Sequence, residues 1–354
     1  MDRLALTRAD RPQAVPIQAT IFGLSGPRLT SAEATFFRDV NPWAFILFAR
    51  NIETPKQVKT LTQALKDCVG RDALIFIDQE GGRVQRLRPP HWNNYRPAKD
   101  FAALYSVNPN LARRAVYLQM RLIGDDLYKL GITANCAPVL DIPVEGADDI
   151  ISDRAYGDNP KSVIPLAHAV MAGLTASGVA PVIKHIPGHG RATVDSHKAL
   201  PRIKTALQKL ELTDFVPFNA LSDAPMAMTA HAVYDALDPK HPATISRKAI
   251  YNFIRARFGF DGILMSDDLD MKALSGTLRE RTEHVLRAGC DIALQCSGKL
   301  PDMVEVATGA RAMSATSLIR AKLAENCAGT PREFDRSDAE SELEAAFAES
   351  TVNV

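Results

Sequence analysis

Short runs of apolar, β-favouring residues recur along the chain, separated by longer stretches whose apolar positions follow helical spacing. The runs are PIQATIFGL (16–24), WAFILFA (43–49), ALIFIDQ (73–79), ITANCAPVLD (132–141), VAPVIKH (179–185), PMAMTAH (225–231), GILMSDD (262–268) and CDIALQC (290–296). Several are apolar at successive positions, the pattern of parallel strands covered on both faces. Of the stretches between them, TPKQVKTLTQALKDCVG opens on Thr-Pro and closes on Gly70, a helix start and stop. NPNLARRAVYLQMRLIGDDLYKLG is the longest and stops at Gly131; NPKSVIPLAHAVMAGLTASG, TALQKLELTDFVPFNALSD, SRKAIYNFIRARFG and TLRERTEHVLRAG follow the same logic. Eight β runs alternating with helices predict an α/β fold, a single (β/α)8 TIM-type barrel with its site at the C-terminal rim of the strands. A doubly wound open sheet is the alternative.

Composition narrows this picture. The chain has 354 residues and no Pro/Gly/Ser-rich linker before about residue 328, so residues 1–328 read as one barrel domain. Residues 329–354, rich in Ala and Glu, read as a peripheral helix with a loose end. A net charge of +1 gives no field suited to nucleic acid or a polybasic membrane contact. The start, MDRLALTRADRPQAVPIQA, has no apolar signal core. No run reaches the ~18 apolar residues of a membrane span. Five cysteines without a CxxC pair fit reduced thiols, so a cytoplasmic location is expected. No apolar stripe stands out, and a monomer is expected.

The chemistry concentrates at the strand ends. KHIPGHGRATVDSHKALP (184–201) holds three of the eight histidines. His185 and His189 have HxxxH spacing, but Pro187 and Gly188 lie between them and oppose the helix that would put both on one face. A metal-dependent hydrolase using His185, His189, His197 and His231 stays as an alternative; no metal or cofactor is expected. The loop lacks the phosphate-binding and dinucleotide glycine patterns. Asp195 and His197 are two apart, so in an extended segment the carboxylate orients and charges the imidazole for proton transfer. A solvated loop is the competing reading. Gly188 and Gly190 suggest that this loop swings.

Lys184 and His185 end an apolar run, where a buried lysine needs either an ion-pair partner or a polar ligand. In GFDGILMSDDLDM (259–271), alternation sets Asp267 on the face of Met265 and Asp268 on the face of Ser266. One carboxylate then enters the barrel mouth and the other caps the following turn. In IDQEGGRVQRLR (77–88), Asp78 ends a run and Arg83, Arg86 and Arg88 follow; DRAYG adds Arg154 and MTAH adds His231. An Asp–Arg pair here is either structural or a clamp for sugar hydroxyls. Such a polar ring suits hydrolysis of a polyhydroxylated substrate.

These three motifs resemble those of the family 3 glycoside hydrolases, most closely the single-domain bacterial β-N-acetylglucosaminidases of cell-wall recycling. The resemblance spans roughly residues 16–320. It implies a retaining exo-β-N-acetylglucosaminidase (a β-hexosaminidase) acting on GlcNAc-containing muropeptides of the anhydro-MurNAc type. In that case Asp267 is the nucleophile, His197 the general acid/base and Asp195 its orienting partner. Asp78, Arg86, Arg154, Lys184 and His185 match positions that bind the terminal sugar. A broader β-glucosidase or hexosaminidase is the nearer alternative. The chain departs from the family pattern at Ile186, where Phe is common, and at Asp270, where Ser or Gly is frequent. Neither carries a proposed catalytic atom.

Overall fold

The computed structural model describes residues 15–352; most of the N-terminal stretch read for a signal core lies outside them. Each of the eight predicted runs contains a strand: β1 (Gln18–Phe22), β2 (Pro42–Leu47), β3 (Leu74–Ile77), β4 (Ala134–Asn135), β5 (Ala180–Pro181) with β6 (Ile183–Ile186), then β8 (Met226–Thr229), β10 (Ile263–Asp268) and β11 (Ile292–Gln295). The two remaining strands, β7 (Arg202–Ile203) and β9 (Val233–Tyr234), form a small separate ladder.

The main sheet runs β5-β4-β3-β2-β1-β11-β10-β8-β6, with every neighbouring pair parallel. Its two ends, β5 and β6, are consecutive pieces of one chain segment separated by Val182. That segment pairs with β4 on one side and β8 on the other, and so closes the barrel. The alternative of an open sheet is thereby ruled out. β2 is buried at every position, as its unbroken apolar run requires when both faces are covered.

The helices largely follow their predicted punctuation. Thr54 caps Pro55–Val69, and Gly70 ends it with φ +65°. Pro109–Lys129 is the longest. TALQKLELTDFVPFNALSD, one amphipathic stretch in sequence, is two short helices, Leu207–Leu212 and Phe215–Ala220. The break falls at Thr213–Asp214, where the buried Asp214 takes an ion pair from Arg191 at 2.8 Å. The last helix, Arg336–Val352, lies against Pro109–Lys129. Arg336 bonds Asp125 and Asp126 at 2.9 and 2.7 Å, and Ala339, Leu343 and Ala346 join the barrel's apolar core. Among the described residues no helix is long and apolar enough to cross a membrane.

Two irregularities shape the rim. Against β11, Met265 pairs with Ile292 but Asp268 with Leu294, so β10 carries one extra residue at Ser266–Asp267. Against β8, Lys184 pairs with Met228 but Ile186 with Thr229, so β6 carries one at His185. Such bulges re-aim side chains that strict alternation would separate.

Candidate active site

A pocket of about 200 Å³ opens at the C-terminal ends of the strands. This lies below the ~300–1,000 Å³ of drug-sized sites, and fits one ring-sized group rather than a chain. Asp78, Arg86, Arg154, Lys184, His185, His197 and Asp267 all line it, from five different strand ends and loops. Asp195 stands behind His197 and reaches the pocket only through that ring.

Alternation placed Asp267 and Asp268 on opposite faces. Both in fact line the pocket, because the extra residue in β10 breaks the alternation between them. The same holds for Lys184 and His185 on β6. The predicted turn cap is real: Asp268 Oδ1 accepts from the backbone N–H groups of Asp270 and Cys296, both at 3.1 Å. Its own N–H donates to Asp267 Oδ1 at 2.8 Å.

The floor of the pocket is an ion-pair network. Lys184, only 2% exposed, donates to Asp78 at 3.0 Å and meets Glu80 at 2.6 Å. Arg86 holds the other Asp78 oxygen at 3.1 Å, and Arg154 grips Glu80 with both arms, at 2.9 and 2.8 Å. Burial alone would push both carboxyls up. The Lys184 and Arg86 charges outweigh it and hold Asp78 far below the usual carboxylate range. Arg154 and Lys184 hold Glu80 at about 2. Burial pushes Lys184 down, but Asp78 and Glu80 outweigh that and keep it firmly cationic. Glu80 did not figure in the sequence reading. Its signal was present, since it stands two residues after Asp78 and shares its face in an extended segment.

Asp141 was also missed. It ends the fourth apolar run and is fully buried. Its Oδ2 lies 2.6 Å from His185 Nδ1, and its Oδ1 accepts from the backbone N–H groups of His185 and His189 at 3.1 and 2.6 Å. A carboxylate only accepts, so His185 Nδ1 carries the hydrogen and Nε2 is the nitrogen left for a ligand.

Asp267 is 8% exposed. Burial raises its carboxyl, yet the charges of His185 and His231, the Asp268 N–H and Lys184 together bring it below the ordinary value. Asp267 is therefore an ionised carboxylate, itself largely buried in the pocket wall. Asp268 moves the opposite way, pushed up by burial and by the Asp270 and Asp267 charges. His197 has a half-exposed ring on the pocket's edge. Its Nδ1 and backbone N meet Asp195 Oδ1 at 2.8 and 2.9 Å. Burial raises the Asp195 carboxyl, but the backbone and ring bonds from His197 together outweigh it and bring it below the ordinary value. Nδ1 thus donates to Asp195, and Nε2 is free to give or take a proton.

The four histidines do not assemble a ligand set. His185 uses Nδ1 on Asp141, while His231 has Nδ1 on Thr244 at 2.7 Å and Nε2 on the Asp268 carbonyl at 3.0 Å. Among the described residues no three His, Cys, Asp or Glu groups are placed to hold a metal. His189 is 3% exposed, packs edge-on against His185 at 5.7 Å, and is pushed toward neutrality first by burial and then by His185.

The glycines read as hinges are packed. A Cβ on Gly190 would come within 1.9 Å of the Ile142 carbonyl oxygen, and the Gly188 carbonyl accepts from Tyr234 at 2.6 Å. They permit close approach here rather than motion. Only the part of the loop after Arg191 is more open.

A fixed carboxylate, a carboxylate-oriented imidazole and a clamp of buried ion pairs around a one-ring pocket are the parts of a polar hydrolytic site. The glycosyl hydrolase family 3 N-terminal domain matches residues 24–324. The beta-hexosaminidase of Alkalilimnicola ehrlichii is 40% identical over 281 residues, covering 78% of this chain and 80% of that protein. The Pseudomonas aeruginosa beta-hexosaminidase is 35% identical over 284 residues, 78% of this chain and 81% of that one. The crystal structure of native NagZ from Neisseria gonorrhoeae superposes with a TM-score of 0.81 at 29% identity, covering 94% of this chain and 97% of that chain. The barrel, the rim pocket and a match extending over most of the chain agree: this chain belongs to glycosyl hydrolase family 3 and is a glycoside hydrolase.

Proposed function

We propose that the chain is a retaining exo-β-N-acetylglucosaminidase that removes terminal GlcNAc from muropeptides carrying an anhydro sugar, and that it works as a cytoplasmic monomer in peptidoglycan recycling. The observation that carries the mechanism is the pairing of an ionised, largely buried Asp267 with the Asp195-held His197 on the edge of the same pocket. In the first step an Asp267 oxygen attacks the anomeric carbon as the glycosidic C–O bond breaks. The departing oxygen keeps the bonding pair and takes the proton from His197 Nε2. In the second, His197 Nε2 accepts a proton from water, the water oxygen bonds the anomeric carbon, and Asp267 leaves as a carboxylate. Two inversions give retention. Retaining glycosidases commonly use two carboxylates; here imidazole replaces the acid/base, and Asp195 fixes its tautomer and orientation through the bond to Nδ1.

Asp78, Arg86, Arg154, Lys184 and His185 are assigned to the terminal sugar. Asp78 accepts from ring hydroxyls while Lys184, Arg86 and Arg154 donate. The small pocket volume supports cleavage from a chain end. The assignment of a 2-acetamido sugar draws on relatives named beta-hexosaminidase and on a Neisseria gonorrhoeae neighbour solved with N-trifluoroacetyl-D-glucosamine. Residues 1–328 are taken as the catalytic barrel and 329–354 as a peripheral segment.

Two experiments test this. A 2- or 5-fluoro sugar with a good leaving group should leave one glycosyl adduct, mapped by peptide mass spectrometry to Asp267. Turnover without any adduct would overturn the covalent route. Aryl glycosides with and without the 2-acetamido group should differ by at least ~100-fold in kcat/KM; a preference for plain glucosides would overturn the substrate.

A further inference from the structure

We infer that Met271 and Ser196 form a latch that holds the acid/base loop in register with the nucleophile, so that Met271 is a positioning residue for His197. The inference rests on the reading of His197 as the proton donor.

The Asp195–His197 unit is held together locally. His197 bonds Asp195 through ring and backbone, and Lys198 and Ala199 N–H groups turn back onto the Asp195 carbonyl. None of these contacts fixes where the unit sits relative to Asp267. Among the described residues from Thr193 to Leu200, the hydrogen bonds that leave the loop both end on Ser196. The Ala273 N–H donates to its carbonyl at 3.2 Å, and its hydroxyl reaches Met271 Sδ at 3.6 Å. Ser196 is 4% exposed, whereas the His197 ring beside it is largely open. The loop is therefore pinned by the residue next to its working group.

The other end of the latch leads back to the nucleophile. The Met271 N–H donates to the Asp268 carbonyl at 3.2 Å, and that carbonyl also accepts from His231 at 3.0 Å. Arg281 donates to the carbonyls of Leu269 and Met271 at 2.7 and 3.3 Å. The Asp268 N–H is the group that holds Asp267. A continuous path runs Asp267–Asp268–Met271–Ser196–His197. The turn after β10 thus carries the nucleophile on one side and seats the proton donor on the other. Met271 is 8% exposed, and its flexible thioether both fills the space and accepts from Ser196. Small displacements of a proton donor have large kinetic effects.

Leaving-group dependence tests this. An alkyl glycoside needs a proton on its departing oxygen; a dinitrophenyl glycoside does not. The readout is the ratio of kcat/KM for the alkyl to that for the dinitrophenyl glycoside, measured on Met271→Ala, Met271→Leu, Ser196→Ala and, as reference, His197→Ala. The ratio should fall more than ~100-fold in His197→Ala and at least ~10-fold in Met271→Ala, with a smaller fall in Ser196→Ala. It should recover in Met271→Leu only to the level of Ser196→Ala, since Leu keeps the volume but cannot accept from the Ser196 hydroxyl. A parental ratio in Met271→Ala, with His197→Ala displaced, overturns the latch alone. A parental ratio in His197→Ala overturns the proton-donor reading itself. Should Met271→Ala fail to fold, the ratio in Ser196→Ala decides: displaced supports the latch, parental overturns it.

Discussion

Replacing Glu80 with Gln tests the network under the pocket. Glu80 accepts two bonds from Arg154 and lies 2.6 Å from Lys184 Nζ, and both cations are almost completely buried. Gln keeps the shape but removes the charge and turns one acceptor into a donor facing a cation. Removing one partner from a buried pair costs about 3–5 kcal/mol. A second route gives a similar figure. A carboxyl held at about 2 in place of its ordinary 4.5 corresponds to about 3 kcal/mol. With ~2 cal/mol/K of unfolding entropy per residue over 354 residues, 3 kcal/mol lowers Tm by about 4 °C. Calorimetry of the two proteins at pH 7 measures it. The folded carboxyl is depressed, so its stabilisation is complete above about pH 4.5 and is lost as pH falls toward 2. The gap between parent and variant should therefore narrow across that window. A Tm change below ~1 °C at pH 7, or a gap that widens on acidification, would refute the reasoning.

Asp195→Asn keeps the shape beside His197 but removes the carboxylate that accepts from Nδ1 and orients the ring. We expect kcat for an alkyl glycoside to fall ~10²–10³-fold, with a much smaller loss on a dinitrophenyl glycoside that needs no proton; equal losses on both would argue against the pairing. Asp141→Ala leaves two buried N–H groups and the His185 Nδ1–H without their acceptor, so thermal unfolding should drop by at least ~3 °C and KM should rise as His185 loses its orientation. Both remaining at parental values would show that Asp141 is dispensable. Exhaustive chelation followed by elemental analysis should leave activity intact, since among the described residues no three His, Cys, Asp or Glu groups are placed to hold a metal; loss restored by one added metal would reverse that conclusion.

Much of the barrel was legible because burial on both faces writes itself into a strand as an unbroken apolar run. PWAFIL and LIFI are such runs, and each is buried at every position. The gathering of Asp78, Lys184, His197 and Asp267 at one rim follows from the same pattern, because each stands at or after the end of a run. What the sequence hid is non-local. The extra residues in β10 and β6 exist only relative to β11 and β8, so the facing of Asp268 and His185 was unreadable from alternation. Glu80's place on the face of Asp78 was legible, but what it does there, like the role of Asp141, was hidden for a related reason. Their importance lies in Arg154, Lys184 and His185, which are distant in sequence, and a lone acidic residue carries no mark of its partner. Gly190 misled because a glycine admitted for close packing against Ile142 looks, in sequence, like one admitted for freedom.

The seam at Val182 has a consequence for folding. The segment that completes the sheet, pairing with β4 through one half and β8 through the other, is also the one that delivers Lys184 and His185 to the pocket. The remaining closure joins β1 to β11, where Thr20 faces Ala293 across most of the chain. Asp267 sits on β10, between those two joins. A partly zipped sheet would leave Lys184, with its long-range partners Asp78 and Glu80, unassembled. We expect turnover during refolding to recover no earlier than tertiary closure of the cylinder, so that far-UV circular dichroism regains its native signal before activity does; activity regained first would refute this.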